Sequence, residues 1–285
     1  MKWEGNRESS NVEDRRGAGG IGGGFGGRSI GLGTIAIALV ASFFFGINPM
    51  TVLSLLSGGS PQQTTAQRPP ADDRMATFVS TVLADTEDTW TELFRSGGGT
   101  YQKPTLVLFS DSTPTACGTG QSASGPFYCP ADQKIYIDLS FYRLMQQRYQ
   151  VTGEFAQAYV IAHEVGHHVQ TLMGISGKVR QAQQRASQAE GNRLSVQQEL
   201  QADCFAGVWA YHANRSRGIL EAGDIEAGLN AASAIGDDAL QRKEQGHVIP
   251  DSFTHGTSAQ RVRWFKRGIE TGKVAACNTF EARDL

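Results

Sequence analysis

The sequence predicts a helix-rich α+β domain with a small early β-sheet over residues 71–285, preceded by one N-terminal transmembrane helix. Three observations lead there. An apolar run without charge fills residues 30–47. Two short strand-like runs, 104–110 and 134–138, come early in the remainder. From residue 154 onward apolar residues recur at helical spacing. The 285 residues include 40% hydrophobic and 19% charged residues, enough for a packed core. The net charge of −2 excludes a strongly basic nucleic-acid binder. Glycine is skewed: of 34 in the chain, 14 lie within residues 1–60, so the averages describe two unlike pieces.

Residues 1–29 read as a flexible, Gly-rich cytoplasmic lead, because such a stretch buries too little apolar surface to offset its backbone entropy. A phosphate-cradling loop is disfavoured, since no strand precedes the glycines and no Lys-Ser/Thr follows. The run IGLGTIAIALVASFFFGI is eighteen residues long and extends through uncharged residues to Leu56. This approaches the roughly 20 residues of a membrane-crossing helix, so 30–56 is expected to be an anchor. A cleaved signal peptide is the closest rival, but its charged leading region would be unusually long. Lys2, Arg7, Arg15, Arg16 and Arg28 precede the run, and the next basic residue is Arg68. The positive-inside bias then puts the N-terminus in the cytoplasm and the domain in the periplasm or outside the cell. Residues 57–70 have linker composition.

In the globular part, Asp72 or Asp73 can cap a helix running to about Arg95, ended by Gly97-Gly98-Gly99. Strands over 104–110 and 134–138 flank a loop that carries Cys117 and Cys129. A helix is expected over 154–172 with Gly174 placed to stop it, then helices near 178–190, 195–217, 223–235 and 258–271. Four cysteines in an exported domain suggest two disulfides, with three possible connectivities. Cys117 and Cys129 are near neighbours across their loop, which would leave Cys204 and Cys277 to pin the C-terminal segment. Cys204 as a simple buried residue is the bland alternative.

The strongest chemical signal is His163-Glu164-Val165-Gly166-His167 inside the 154–172 helix. Histidines at i and i+4 project from one face and suit two of the four positions around zinc. Glu164 is rotated about 100° from His163, so it can lean over the metal and accept a proton from its water. Zinc lowers the pKa of that water toward about 7, which lets a carboxylate act at neutral pH. The bland alternative is two satisfied histidines on an ordinary amphipathic helix. His168 points away from this face.

A catalytic zinc needs a third protein ligand and an open position. His212, His247 and His255 are candidates, but Glu199 is favoured because it completes a His₂Glu set. Asp203, one turn on, can hold the outer N–H of His163 and fix its tautomer. An exposed acidic helix face is the alternative. The apolar residues that follow, Cys204 to Trp209, argue for a buried one.

HEVGHHVQ, QQELQADCFAGVWA, FTHGTSAQRVRW and FYCPADQKIYIDLSF together resemble the bacterial neutral zinc metallopeptidases of the YpfJ-like family, over about residues 70–285 and the N-terminal run. The wider plan is similar to the gluzincins. That resemblance implies a zincin-like fold with the active-site helix under a small sheet. It implies one zinc ion on His163, His167 and Glu199, with Glu164 as general base. It also offers His255 or Arg261 as the group that stabilises the oxyanion; the alternatives are a loop hydrogen bond for His255 and a pair with Asp203 or Glu190 for Arg261. Ile135–Ile137 is the candidate sheet edge for strand addition by a peptide, and Tyr128 and Tyr136 are further site candidates.

The expected function is therefore a membrane-anchored zinc metallopeptidase acting on a peptide or protein outside the cytoplasm, with no nucleic-acid partner. Two alternatives stand beside it: a zinc amidohydrolase of a non-peptide amide, and a non-catalytic, zinc-stabilised interaction module next to the membrane. The sequence sets no oligomeric state.

Overall fold

The computed structural model describes residues 1–17, 73–122 and 125–285. The expected anchor, linker and glycine tract, residues 18–72, lie outside the described residues. Among the described residues no helix is long and apolar enough to cross a membrane.

A helix-rich α+β architecture with a small early sheet is observed. In chain order the elements are β1 (Val12–Asp14), α1 (Arg74–Ser96), β2 (Thr105–Phe109), β3 (Ser112–Thr115), β4 (Gly118–Gln121), β5 (Phe127–Cys129) and β6 (Lys134–Asp138). Then come α2 (Ser140–Tyr149), α3 (Glu154–Leu172), α4 (Ile175–Gln183), α5 (Gln188–Arg217), α6 (Asp224–Ala234), α7 (Asp237–Gln245) and α8 (Ser258–Thr271). Four strands form one sheet in the order β1-β2-β6-β5, and β3 and β4 form a separate hairpin. β1, β2 and β6 run parallel, and β5 is antiparallel to β6. Alternation splits β2: Leu106 and Leu108 join the main helical core, while Val107 and Phe109 pack with Cys129 and Tyr136 on the other face.

Local chemistry accounts for the helix boundaries. Asp73 caps α1 by accepting from the Ala76 N–H at 3.0 Å. Ser187 and Glu190 form a reciprocal capping box at the start of α5, as Thr257 and Gln260 do for α8. Gly174, at φ 72°, breaks α3 from α4. The helix expected over 178–190 is divided instead, because Ser187 caps a new helix there. β3, β4, β5, α2 and α7 are additional elements, all of them short.

Helix α5 crosses both α3 and α8 at close range because glycine sits at the two crossings. A Cβ on Gly207 of α5 would overlap the Phe265 carbonyl, and one on Gly268 of α8 would overlap that of Cys204. Gly166, inside the His-Glu-x-x-His segment, lies against Ala202 of α5. This contact brings the carboxylates of α5 beneath the histidines of α3. Disulfides join Cys117 to Cys129 and Cys204 to Cys277.

Two expectations are corrected. Residues 1–17 are not a flexible lead: Trp3 is 4% exposed and β1 extends the sheet in parallel register with β2. Their polar side chains, which suggest disorder in isolation, find buried partners on α1. Nor is Ile135–Ile137 a sheet edge. Ile135 and Tyr136 pair with β2 on one side and β5 on the other, and β5 is the outer strand at that end.

Candidate metal centre and cleft

α3 presents His163, Glu164 and His167 to one cleft, and α5 brings Glu199 against them. The ligand atoms of His163, His167 and Glu199 all lie within 4.8 Å of one another. Glu199 Oε2 is 3.1 Å from His163 Nε2, and its Oε1 is 3.2 Å from His167 Nε2. The other ring nitrogens are engaged. His163 Nδ1 is 2.8 Å from Asp203 Oδ1, and His167 Nδ1 is 2.9 Å from Gln170 Oε1. Two acceptors thus hold the Nδ1 protons, so both Nε2 lone pairs face the Glu199 carboxylate. Such a convergence of lone pairs and anionic oxygens fits a divalent cation of the zinc type.

Asp203 is fully buried and saturated. It accepts from Tyr159 Oη at 2.5 Å, and from Arg261 through Nη2 and Nε, each at 2.9 Å. Burial alone would lower the His163 pKa, but the carboxylates of Asp203 and then Glu199 outweigh it and raise it. Burial would raise Glu199; the two imidazoles instead hold it well below the usual carboxylate range. Glu164 differs: burial dominates and raises its pKa, against the pull of both histidines.

The cleft encloses about 680 Å³. Ser176, Gln183, Ser195 and Gln198 line it, as do Phe141, Leu144, Val160 and Leu240. His255 reaches it from the loop before α8, with a half-exposed side chain. Asp237 clamps that loop. Its Oδ2 accepts the backbone N–H groups of Thr254, His255 and Gly256 at 2.8, 2.6 and 3.0 Å, and its Oδ1 lies 3.2 Å from His255 Nδ1. The Asp237 hydrogen bond raises the His255 pKa against its desolvation.

Arg261 is placed differently from the oxyanion role weighed for it. It is 2% exposed, and Nε and Nη2 are spent on Asp203 while Nη1 reaches the Ile235 carbonyl at 3.3 Å. It neutralises the carboxylate that orients His163. His212 bonds the Gly272 carbonyl and His247 the Gln245 carbonyl, so neither joins the ligand set. Tyr128 lines the cleft, but its hydroxyl is 3.1 Å from Nδ1 of His168, whose Nε2 bonds the Gln102 carbonyl. Tyr136 lies in the sheet and donates to Asp132 at 2.8 Å. Gln170 and Asp237 are missed by sequence reasoning. Gln170 could have been found as the polar residue three positions after His167 on the same helix. Nothing local marks Asp237.

A family model described as "Putative neutral zinc metallopeptidase" matches residues 1–280. The chain is 55% identical over 287 residues to "Uncharacterized protein YpfJ" of Escherichia coli (strain K12), covering 98% of this chain and 99% of that protein. It is 45% identical over 195 residues to an uncharacterized protein of Mycobacterium tuberculosis (strain ATCC 25618 / H37Rv), covering 65% of each. No solved structure matches. With the convergent histidines and Glu199 inside the matched region, the chain belongs to the family of putative neutral zinc metallopeptidases.

Proposed function

We propose that this protein is a zinc-dependent metallopeptidase that hydrolyses peptide bonds with one zinc ion on His163, His167 and Glu199. The observation that carries the reading is the convergence of two Nε2 atoms on Glu199 while Asp203 and Gln170 hold the opposite ring nitrogens. When bound, zinc supplies a Lewis acid that acidifies water and polarises a carbonyl oxygen. Glu164 takes the proton from the attacking water and returns it to the leaving amine. Asp203, backed by Arg261 and Tyr159, keeps His163 in the tautomer that leaves Nε2 free. His255, aimed by Asp237, offers a donor to the oxygen that gains charge. β5, an edge strand bordering the cleft, supports an extended peptide as the substrate and a zincin-like plan for the domain. The two disulfides support an oxidising compartment for the domain.

Glu164→Gln tests the mechanism. The variant is expected to fold and keep its zinc while hydrolysis of casein or a peptide library falls by at least about 10²-fold. Unchanged turnover excludes Glu164 as the base. A wild type that leaves peptides intact while cleaving a non-peptide amide favours the amidohydrolase alternative.

A further inference from the structure

We infer that residues 1–17 and residues 73–285 lie on the same side of any membrane the protein meets, and that the apolar run 30–56 does not cross it. The run is not a single-pass anchor separating a cytoplasmic N-terminus from an exported domain.

The first 17 residues are built into the peptidase fold. Trp3 packs edge-on against Phe78 at 5.3 Å and donates its indole N–H to Glu154 at 2.8 Å. Glu87 of α1 has no exposed side-chain surface; it accepts from Ser9 Oγ at 2.5 Å, Asn11 Nδ2 at 2.7 Å and Arg7 at 3.1 Å. Without this arm a charged carboxylate would be buried with Lys103 as its remaining ion-pair partner. β1 adds a ladder to β2, and Glu13 pairs with Lys134 of β6 at 2.7 Å. These partners belong to α1, β2, β6 and α3, so the arm cannot reach them from across a bilayer.

The exit and re-entry points also meet. Arg16 Nη1 is 2.6 Å from Asp73 Oδ2, the cap of α1. A chain that leaves and returns at one point crosses a membrane an even number of times or not at all. Two helical crossings need about 40 apolar residues. The run 30–56 is shorter than that, which leaves no crossing at all. The charge argument for a cytoplasmic N-terminus weakens as well. Arg7, Arg15 and Arg16 are paired with Glu87 and Asp88, with Glu13, and with Asp14 and Asp73. They close the fold rather than face anionic lipid.

The test uses the full chain in its host membrane. Single cysteines replace two exposed residues, Glu8→Cys in the arm and Arg95→Cys at the end of α1, and are probed with a membrane-impermeant maleimide before and after lysis. Both are expected to label under the same condition; labelling from opposite sides overturns the inference. The double variant Arg16→Cys, Asp73→Cys checks the clasp in the same membranes: a cross-linked peptide found by mass spectrometry supports it, and its absence under oxidation counts against it. These readouts need no catalysis, so a failure of the proposed peptidase activity leaves them interpretable. Joint labelling only after lysis would keep the shared side and overturn the oxidising compartment.

Discussion

At the scale of single residues, the centre depends on which atom of each imidazole is free. Asp203 and Gln170 both act on the nitrogen opposite the metal, and their removal should weaken metal binding without removing a ligand. Gln170→Leu is expected to lower zinc affinity by about 10- to 100-fold while the protein still folds, as read by competition with a chelating dye. The Gln170 amide also donates to the Gln198 carbonyl at 2.7 Å, one residue before Glu199, so it ties both ligand helices. Asp237 carries a second prediction. It raises the His255 pKa, so His255 stays a charged donor to a higher pH than a free imidazole. Asp237→Asn removes that support, and the alkaline limb of the kcat/KM profile should move to lower pH. Zinc content should be unchanged. An unmoved limb would exclude a protonated His255 from the reaction.

At the scale of elements, glycine governs how near α5 and α8 come to each other, and Gly166 governs how near α5 comes to the active-site helix α3. The Gly207 and Gly268 contacts are backbone against backbone, and no flexible side chain is present to yield. The N-terminal arm is the other element with measurable consequences. Burial would raise the Glu87 pKa, but the hydrogen bonds from Ser9, Asn11 and Arg7 lower it overall. A folded pKa below the unfolded one stabilises the protein above about pH 4.5, and this contribution is lost as pH falls through the folded value. The wild type should therefore lose stability more steeply than Glu87→Gln as pH drops below about 4.5. Denaturant midpoints measured from pH 6 to pH 3 check it. Parallel curves for the two proteins would mean that the carboxylate charge does not hold the arm.

At the scale of the whole molecule, two covalent closures act on different lengths of chain. Cys204–Cys277 spans 73 residues and Cys117–Cys129 spans 12. In the chain-entropy account these stabilise by about 4 and about 3 kcal/mol respectively. The larger closure ties α5 to the C-terminal segment, whose Cys277 carbonyl accepts from Gln201 at 2.9 Å. Cys204→Ser with Cys277→Ser is expected to lower the thermal midpoint more than the Cys117 and Cys129 pair of changes, as measured by calorimetry. It should also loosen zinc, because Glu199 and Asp203 lie on the same stretch of α5.

By itself the sequence determined the chemistry of the centre and the class of the fold. His163, Glu164 and His167 are legible because a helix makes i and i+4 neighbours by geometry alone. Glu199 and Asp203 are legible because the same spacing recurs beside an apolar segment. The helices at 74–96, 154–172 and 258–271 follow from periodicity and caps, which are local. Tertiary structure alone decided what rests on residues far apart in the chain. It turned Arg261 toward Asp203 and placed Asp237 beneath His255. It put β5 rather than β6 at the sheet edge. It also folded residues 1–17 into the domain, against their polar and glycine-flanked composition. Their partners stand on α1, β2 and β6, more than fifty residues away. A short strand or a single buried carboxylate has no periodic signature, so it becomes readable only where its partner lies.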